Sequence, residues 1–484
     1  MATPAPHQQT SPMLEDISQR FRSVAPAADA WSLRLVRDTS QGVIVRNDVL
    51  EPLRTQHDTG AMITICVGDG MGYAATSDLS TSGLRQAATQ ALAWAKASAG
   101  HSVARAIPAS RAVGRYASRI TEPWSSRGLG DIVQLLQQVC RRLDRGSPIV
   151  DRVAALEHRD SETIITSSAG GDVHQRFSFL QPFLSTTANR AGESQTRTFG
   201  GEGARQGGFE QLVSLGFATA PERIAEEAVE LLGAPDCLTG TMDLVLMPSQ
   251  MVLQIHESIG HPLELDRILG DERNYAGTSF VTPDMFGTYR YGSSLLNVTF
   301  DPTRPEELAS YAYDDEGTKA VREFLIQDGV LLRGLGGLLS QSRSGLPGTA
   351  NSRASSWNRP PIDRMANLNL EPGALSLDEL IAGVDQGILM ETNRSWSIDD
   401  SRNKFQFGCE YARLIRQGRL AGVVKNPNYR GISSTFWRSL TGVGSAVHVA
   451  GTPNCGKGEP NQIIHVGHAT PACRFSSVAV FGGG

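Results

Sequence analysis

The chain has 484 residues, 40% apolar and 20% charged, a globular balance that excludes a disordered or low-complexity protein. Lys plus Arg number 45 against 50 Asp plus Glu, and the resulting net charge of −5 argues against a general nucleic-acid binder. The length exceeds what one ordinary core fills, so two domains are expected.

Residues 1–11 are polar with prolines and read as a loose tail without the apolar core of a secretory signal. The sequence has no run of about 18 apolar residues, so no membrane span is expected. Residues 13–24 place Leu14, Ile17 and Phe21 at helical spacing. Residues 31–36 begin as a half-buried strand, and residues 42–46 and 61–67 read as further strands. Residues 68–72 read as a turn, and 73–76 as a short strand. An Ala-rich helix follows over 84–99, with Leu84, Ala87, Ala91 and Trp94 recurring, and a second long helix over 129–143. Residues 149–188 alternate over several stretches, as an antiparallel meander would. The glycine-rich stretch FGGEGARQGG at 199–208 reads as a turn-rich connection, because the spacing of a phosphate-cradling P-loop is absent. A helix over 221–232 begins with Pro and Glu in its first turn. The domain boundary is placed near it, giving units 1–230 and 231–484.

The second half opens with a strand over 243–247 and a helical pattern over 249–260. Short alternating segments broken by Gly, Pro, Asn and Asp follow. Residues 377–384 read as a short helix, and the last ~80 residues as strand and turn. The six cysteines (Cys66, Cys140, Cys237, Cys409, Cys455, Cys473) are scattered without close pairs, which points away from a disulfide framework and towards the cytoplasm.

The chemistry concentrates at residues 256–266, HESIGHPLELD. His256 and His261 flank Glu257, the residue types that hold a zinc ion and take a proton from water beside it. The usual spacing is H-E-x-x-H, with both histidines on one helix face. Here the spacing is H-E-x-x-x-H, and positions five apart on a regular helix differ by about 140° around the axis. Gly260 and Pro262 flank the second histidine and relax or interrupt the helix. A wider turn with i to i+5 bonding would return both rings to one side. A third ligand is then needed, and the residues leave Cys455, His465, His468, Glu264, His448 and Cys409 open. Cys455 lies in a turn-like PNCGKG segment where Lys457 would favour the thiolate. Asp314, Asp315 and Glu316 form an acidic cluster that reads as a solvated turn.

These residues resemble the TldD and PmbA peptidases, in particular the TldD type that carries the metal motif. The likeness runs through HESIGHPLELDRILG from His256, YDDEG from Tyr313, LNLEPG from Leu368, NKFQFGCE from Asn403, CGK from Cys455 with Gln462, and GDGMGYAATSDL from Gly68. The resemblance implies an α+β fold of two domains, each a largely antiparallel sheet with packed helices. It implies zinc held by His256, His261 and Cys455, with Glu257 as catalytic base. The implied activity is hydrolysis of unfolded or linear peptides, either leader-peptide trimming or degradation of small peptides. The implied partner is a TldE/PmbA-like subunit lacking the metal motif, in a heterodimer; a homodimer is the alternative. A zinc amidase tailoring a small peptide-like metabolite and a non-catalytic peptide-binding subunit are the rival readings. The chain departs from the pattern in the longer link 458–461 and in His465 and His468; residues 274–289 and 394–403 look variable.

Overall fold

The computed structural model describes residues 12–102, 107 and 109–483, so the tail expected over 1–11 lies outside the described residues. The first half builds a nine-stranded sheet around the strand Ala30–Arg46, which pairs antiparallel with Arg54–Val67 on one side and Ile149–Ser167 on the other. Two short strands were expected over 31–46. The structure joins them into one, because Asp38, Thr39, Ser40 and Gln41 stay in the ladder, Thr39 opposite both His57 and Asp160. A ladder needs only backbone groups, so polar residues that break the apolar alternation need not break the strand. The expected meander is one long hairpin, Ile149–Ser167 against Asp172–Arg190, each strand 19 residues.

Helices pack on this sheet through the apolar stripes the sequence shows. Leu14, Ile17 and Phe21 of Pro12–Val24 and Leu84, Ala87, Ala88, Ala91 and Ala95 of Thr81–Ser98 bury against Leu33, Leu35, Ile63 and Ile65. Trp94 is a correction: it falls off that stripe and is 57% exposed. Gly70 and Gly72 are another, being strand rather than turn residues (strand Gly70–Thr76). A Cβ on Gly70 would lie 2.1 Å from Ala95 O, and one on Gly72 2.2 Å from Ala91 O, so both glycines let the strand approach the helix backbone. Leu129–Arg142 and Ala220–Leu231 cover a second core with Val43, Val45, Leu156 and Leu180. The glycine-rich stretch is a turn-rich connection into the two-residue strand Arg205–Gln206.

The second half builds a seven-stranded sheet in the order Gly240–Leu246, Gln386–Ile398, Lys404–Arg416, Pro427–Ile432, Cys473–Gly482, Leu440–Val443, with Arg419–Val424 paired to Lys404–Arg416. Gly240–Leu246 also pairs with Cys473–Gly482, so five of these strands close into a ring. Most pairings in both sheets are antiparallel, as expected for an α+β chain. The aromatic side chains of Phe405, Phe407, Tyr429, Phe436, Trp437 and Phe475 fill the ring's core. The two halves meet at Arg197, whose buried guanidinium pairs with Glu227 (2.9 Å), Glu391 (2.8 Å) and Glu410 (3.0 Å). No helix among the described residues is long and apolar enough to cross a membrane.

Candidate metal centre

Pro248 opens a helix that runs regularly to Ile255. A buried polar chain fixes it in the core: Gln250 Nε2 donates to Tyr429 Oη, Tyr429 Oη to Gln254 Oε1, and Gln254 Nε2 to Ser258 Oγ, at 2.8–2.9 Å. Trp437 Nε1 also donates to Ser258 Oγ, at 2.9 Å. At His256 the helix widens into one π turn, His256–Gly260, in which His261 N–H donates to His256 O, the i to i+5 bond the spacing calls for. A single 3₁₀ turn, His261–Leu263, then carries Pro262 out of the helix. The extra residue is thereby absorbed, and the two imidazoles meet edge to face with centroids 4.9 Å apart.

Cys455 reaches this pair from the strand His448–Lys457, with Sγ 3.8 Å from His261 Nε2. The segment is not the turn the sequence suggested: Cys455 pairs opposite Ile464 in a two-stranded hairpin, and the turn follows Lys457. One donor atom from each of His256, His261 and Cys455 lies within 4.8 Å of the others, and all three residues are buried. Two soft-to-borderline nitrogens and a sulfur suit zinc.

Hydrogen bonds behind the rings test whether the donors face inward. His261 Nδ1 lies 2.9 Å from Glu264 Oε2, a pure acceptor, so Nδ1 carries the proton and Nε2 keeps its lone pair. His256 Nδ1 lies 3.0 Å from His468 Nε2, and His468 Nδ1 lies 2.8 Å from the Leu368 carbonyl. The carbonyl accepts only, so His468 Nδ1 donates, its Nε2 accepts, and His256 Nδ1–H donates to it. Both ligand-type histidines thus retain Nε2 for a metal, and the residues fit the ion.

Charges around the cluster reinforce this arrangement. Burial pushes His256 below its ordinary pKa, which keeps the ring neutral. Burial would raise the Cys455 thiol, but the net shift is downward, towards thiolate, with the Arg364 guanidinium the largest opposing cause. Lys457, expected to do this, instead turns its ammonium to Asp266 (2.6 Å) and Glu264 (3.4 Å). Burial opposes ionisation of Glu264 too, yet Lys457 and His261 hold it well below the usual carboxylate range. Glu257, 6% exposed, ends beside the cluster with Oε2 accepting from Arg402 Nη1 at 2.9 Å. Arg402 sits in a left-handed turn residue (φ 60°) within the segment 394–403. Nothing in the spacing flagged it, because it meets Glu257 only through folding.

The other ligand candidates lie elsewhere or behind the cluster. Glu264 and His468 support the two rings, as described. His465 Nε2 faces Arg159 Nη1 at 2.9 Å, its ring packs on Phe179, and burial with Arg159 pushes it down to about 3. His448 lies at the exposed start of the strand His448–Lys457. Cys409 is buried in the strand Lys404–Arg416, its thiol raised by burial. The acidic turn is not solvated: Asp314 is buried and accepts from Glu316 N, Thr318 N and Ser352 N, while Asp315 pairs with Arg34 at 3.4 Å.

Comparison with known proteins agrees with this geometry. The PmbA/TldA metallopeptidase C-terminal domain matches residues 239–482, and domain 1 of the same family matches residues 31–95. A metalloprotease of Methanothermobacter thermautotrophicus is 29% identical over 69% of this chain and 70% of its own. A metalloprotease TldD homolog of Buchnera aphidicola is 25% identical over 91% of this chain and 90% of its own. The crystal structure of TldE from Thermococcus kodakarensis shares the fold, with a TM-score of 0.74 and 15% identity over 97% of this chain and 100% of its own.

Proposed function

Because this chain belongs to the PmbA/TldA metallopeptidase family, we propose that it is a zinc-dependent peptidase that hydrolyses linear or unfolded peptides, with His256, His261 and Cys455 as metal ligands and Glu257 as general base. The observation that carries this reading is the convergence of the three donors with both Nδ1 atoms already engaged. Zinc held there would supply a Lewis acid for the scissile carbonyl and lower the pKa of water beside Glu257. Three protein ligands would leave a zinc ion a fourth position, the open arrangement of a catalytic site. Glu257 takes the proton of the attacking water and passes it to the leaving amine. Arg402, donating to Oε2 of that carboxylate, holds its orientation.

The fold of TldE, shared across 97% of this chain, supports pairing with a related subunit that lacks the metal motif. The separate sheets of the two halves support domains over 1–230 and 231–484. Six free, buried cysteines support a reducing compartment, the cytoplasm. The test is Glu257→Gln assayed on unfolded peptides alongside zinc content. The expected variant keeps zinc and loses at least about 100-fold in kcat; a zinc-loaded variant as active as the parent removes Glu257 from the mechanism.

A further inference from the structure

His256 and His261 are held from behind by different chemistry. His261 is backed by the carboxylate of Glu264, itself tied to Lys457. His256 is backed by a third imidazole, His468, whose own Nδ1–H is spent on the Leu368 carbonyl. His468 is completely buried on the strand Gln462–Thr470, in the same hairpin as Cys455. Its backbone partner across the hairpin is Ala450, and the strand Leu368–Leu370 supplies the carbonyl. The element that delivers the sulfur therefore also delivers the group that orients a ring.

We infer that His468 is a positioning residue that locks His256 in the Nδ1–H tautomer, so that the Nε2 lone pair is presented to the ion. This rests on the metal reading above and adds a relay to it: Leu368 carbonyl to His468 to His256. The relay has one direction. A carbonyl cannot donate, so His468 must donate to it and accept from His256, and a His256 ring flipped to the Nε2–H tautomer would break the bond to His468. A neutral acceptor also raises the basicity of its ring less than a carboxylate does. His256 is therefore the weaker nitrogen ligand and His261 the stronger.

The test is zinc affinity of the full chain, by competition with a chromogenic chelator, in the parent, His468→Gln and His468→Leu. The glutamine amide oxygen can accept from His256 Nδ1–H; leucine cannot. Loss of an outer hydrogen-bond partner typically weakens metal binding 10- to 100-fold, so His468→Leu should lose that much while His468→Gln stays within about threefold of the parent. Melting of the metal-free proteins separates this from packing, which would lower both variants without distinguishing their affinities. Equal affinity in parent and His468→Leu, or equal weakening in both variants, overturns the role of His468 and leaves the metal site standing. A parent that binds no zinc overturns both. Should His468→Leu not fold, histidine-selective NMR of the metal-free parent reads the tautomer directly: a proton on Nδ1 of His256 supports the lock, and one on Nε2 refutes it.

Discussion

Gly260→Ala probes the π turn on which the centre depends. An added Cβ would lie 2.0 Å from Met365 Sδ, 3.1 Å from Met365 Cε and 3.2 Å from Leu368 Cδ2. Ordinary contact is about 3.5–4.0 Å, so the overlap with the sulfur is severe. Met365 and Leu368 are fully buried, so the methionine thioether has to shift within the packed core to admit the methyl. Overpacking of this kind costs about 1–3 kcal/mol. Ala is favoured over Gly in a helix by at most about 1 kcal/mol, so the clash wins. The displacement falls on His261, the next residue, and zinc affinity should drop with stability. The assay is a double-mutant cycle with Met365→Ala, reading chemical unfolding and zinc affinity. Met365→Ala alone should cost about 2–5 kcal/mol as a cavity. In the double variant the new methyl occupies part of that cavity, giving a favourable coupling of about 1 kcal/mol or more. A Gly260→Ala protein as stable and as tight for zinc as the parent, or a coupling of zero, refutes the argument that this glycine makes room for the turn.

Three further outcomes follow from the charges. Lys457→Met leaves Asp266 and Glu264 buried without their shared cation and should cost about 3–5 kcal/mol; the loss should shrink at low pH, where the two carboxyls can protonate, as thermal melts at two pH values will show. Burial, and then the charge of Glu410, raise Glu202 from 4.5 to about 7, so its contribution to stability is fully present below pH 4.5 and lost as pH rises through about 7. Glu202→Gln should therefore flatten the fall in melting temperature across that window and melt higher than the parent at pH 8; parallel slopes in the two proteins would count against it. Arg402→Gln should lower kcat with little change in zinc content, since Arg402 touches Glu257 rather than the three donors; steady-state kinetics with metal analysis separates these.

Much of the centre was legible in the sequence because it is local. The five-residue spacing, Gly260 and Pro262 together imply a widened turn, and that turn forms. Cys455, 194 residues beyond His261, could not be chosen over five other candidates by spacing; only the family resemblance picked it out. Glu264 lies only three residues after His261, so its support of that ring is as local as the motif itself. The role of His468 and the pairing of Arg402 with Glu257 depend on which strands cross, information that no local pattern carries. The errors elsewhere have one physical origin. Apolar periodicity reports burial, so it split the strand Ala30–Arg46 at its polar stretch and read Gly70 and Gly72 as a turn. It also took Trp94 for a core residue, although a position three beyond Ala91 can fall at the edge of a helix stripe. The acidic turn at 314–316 looked solvated because three adjacent carboxyls are costly to bury; backbone donors and Arg34 offset that cost.

X-ray absorption at the zinc edge of the metal-loaded full chain tests the central claim most directly. One sulfur at about 2.3 Å and two imidazole nitrogens at about 2.0–2.1 Å are expected, with the sulfur shell lost in Cys455→Ala. A spectrum with nitrogen and oxygen alone in the parent, or a sulfur shell that survives Cys455→Ala, would contradict it.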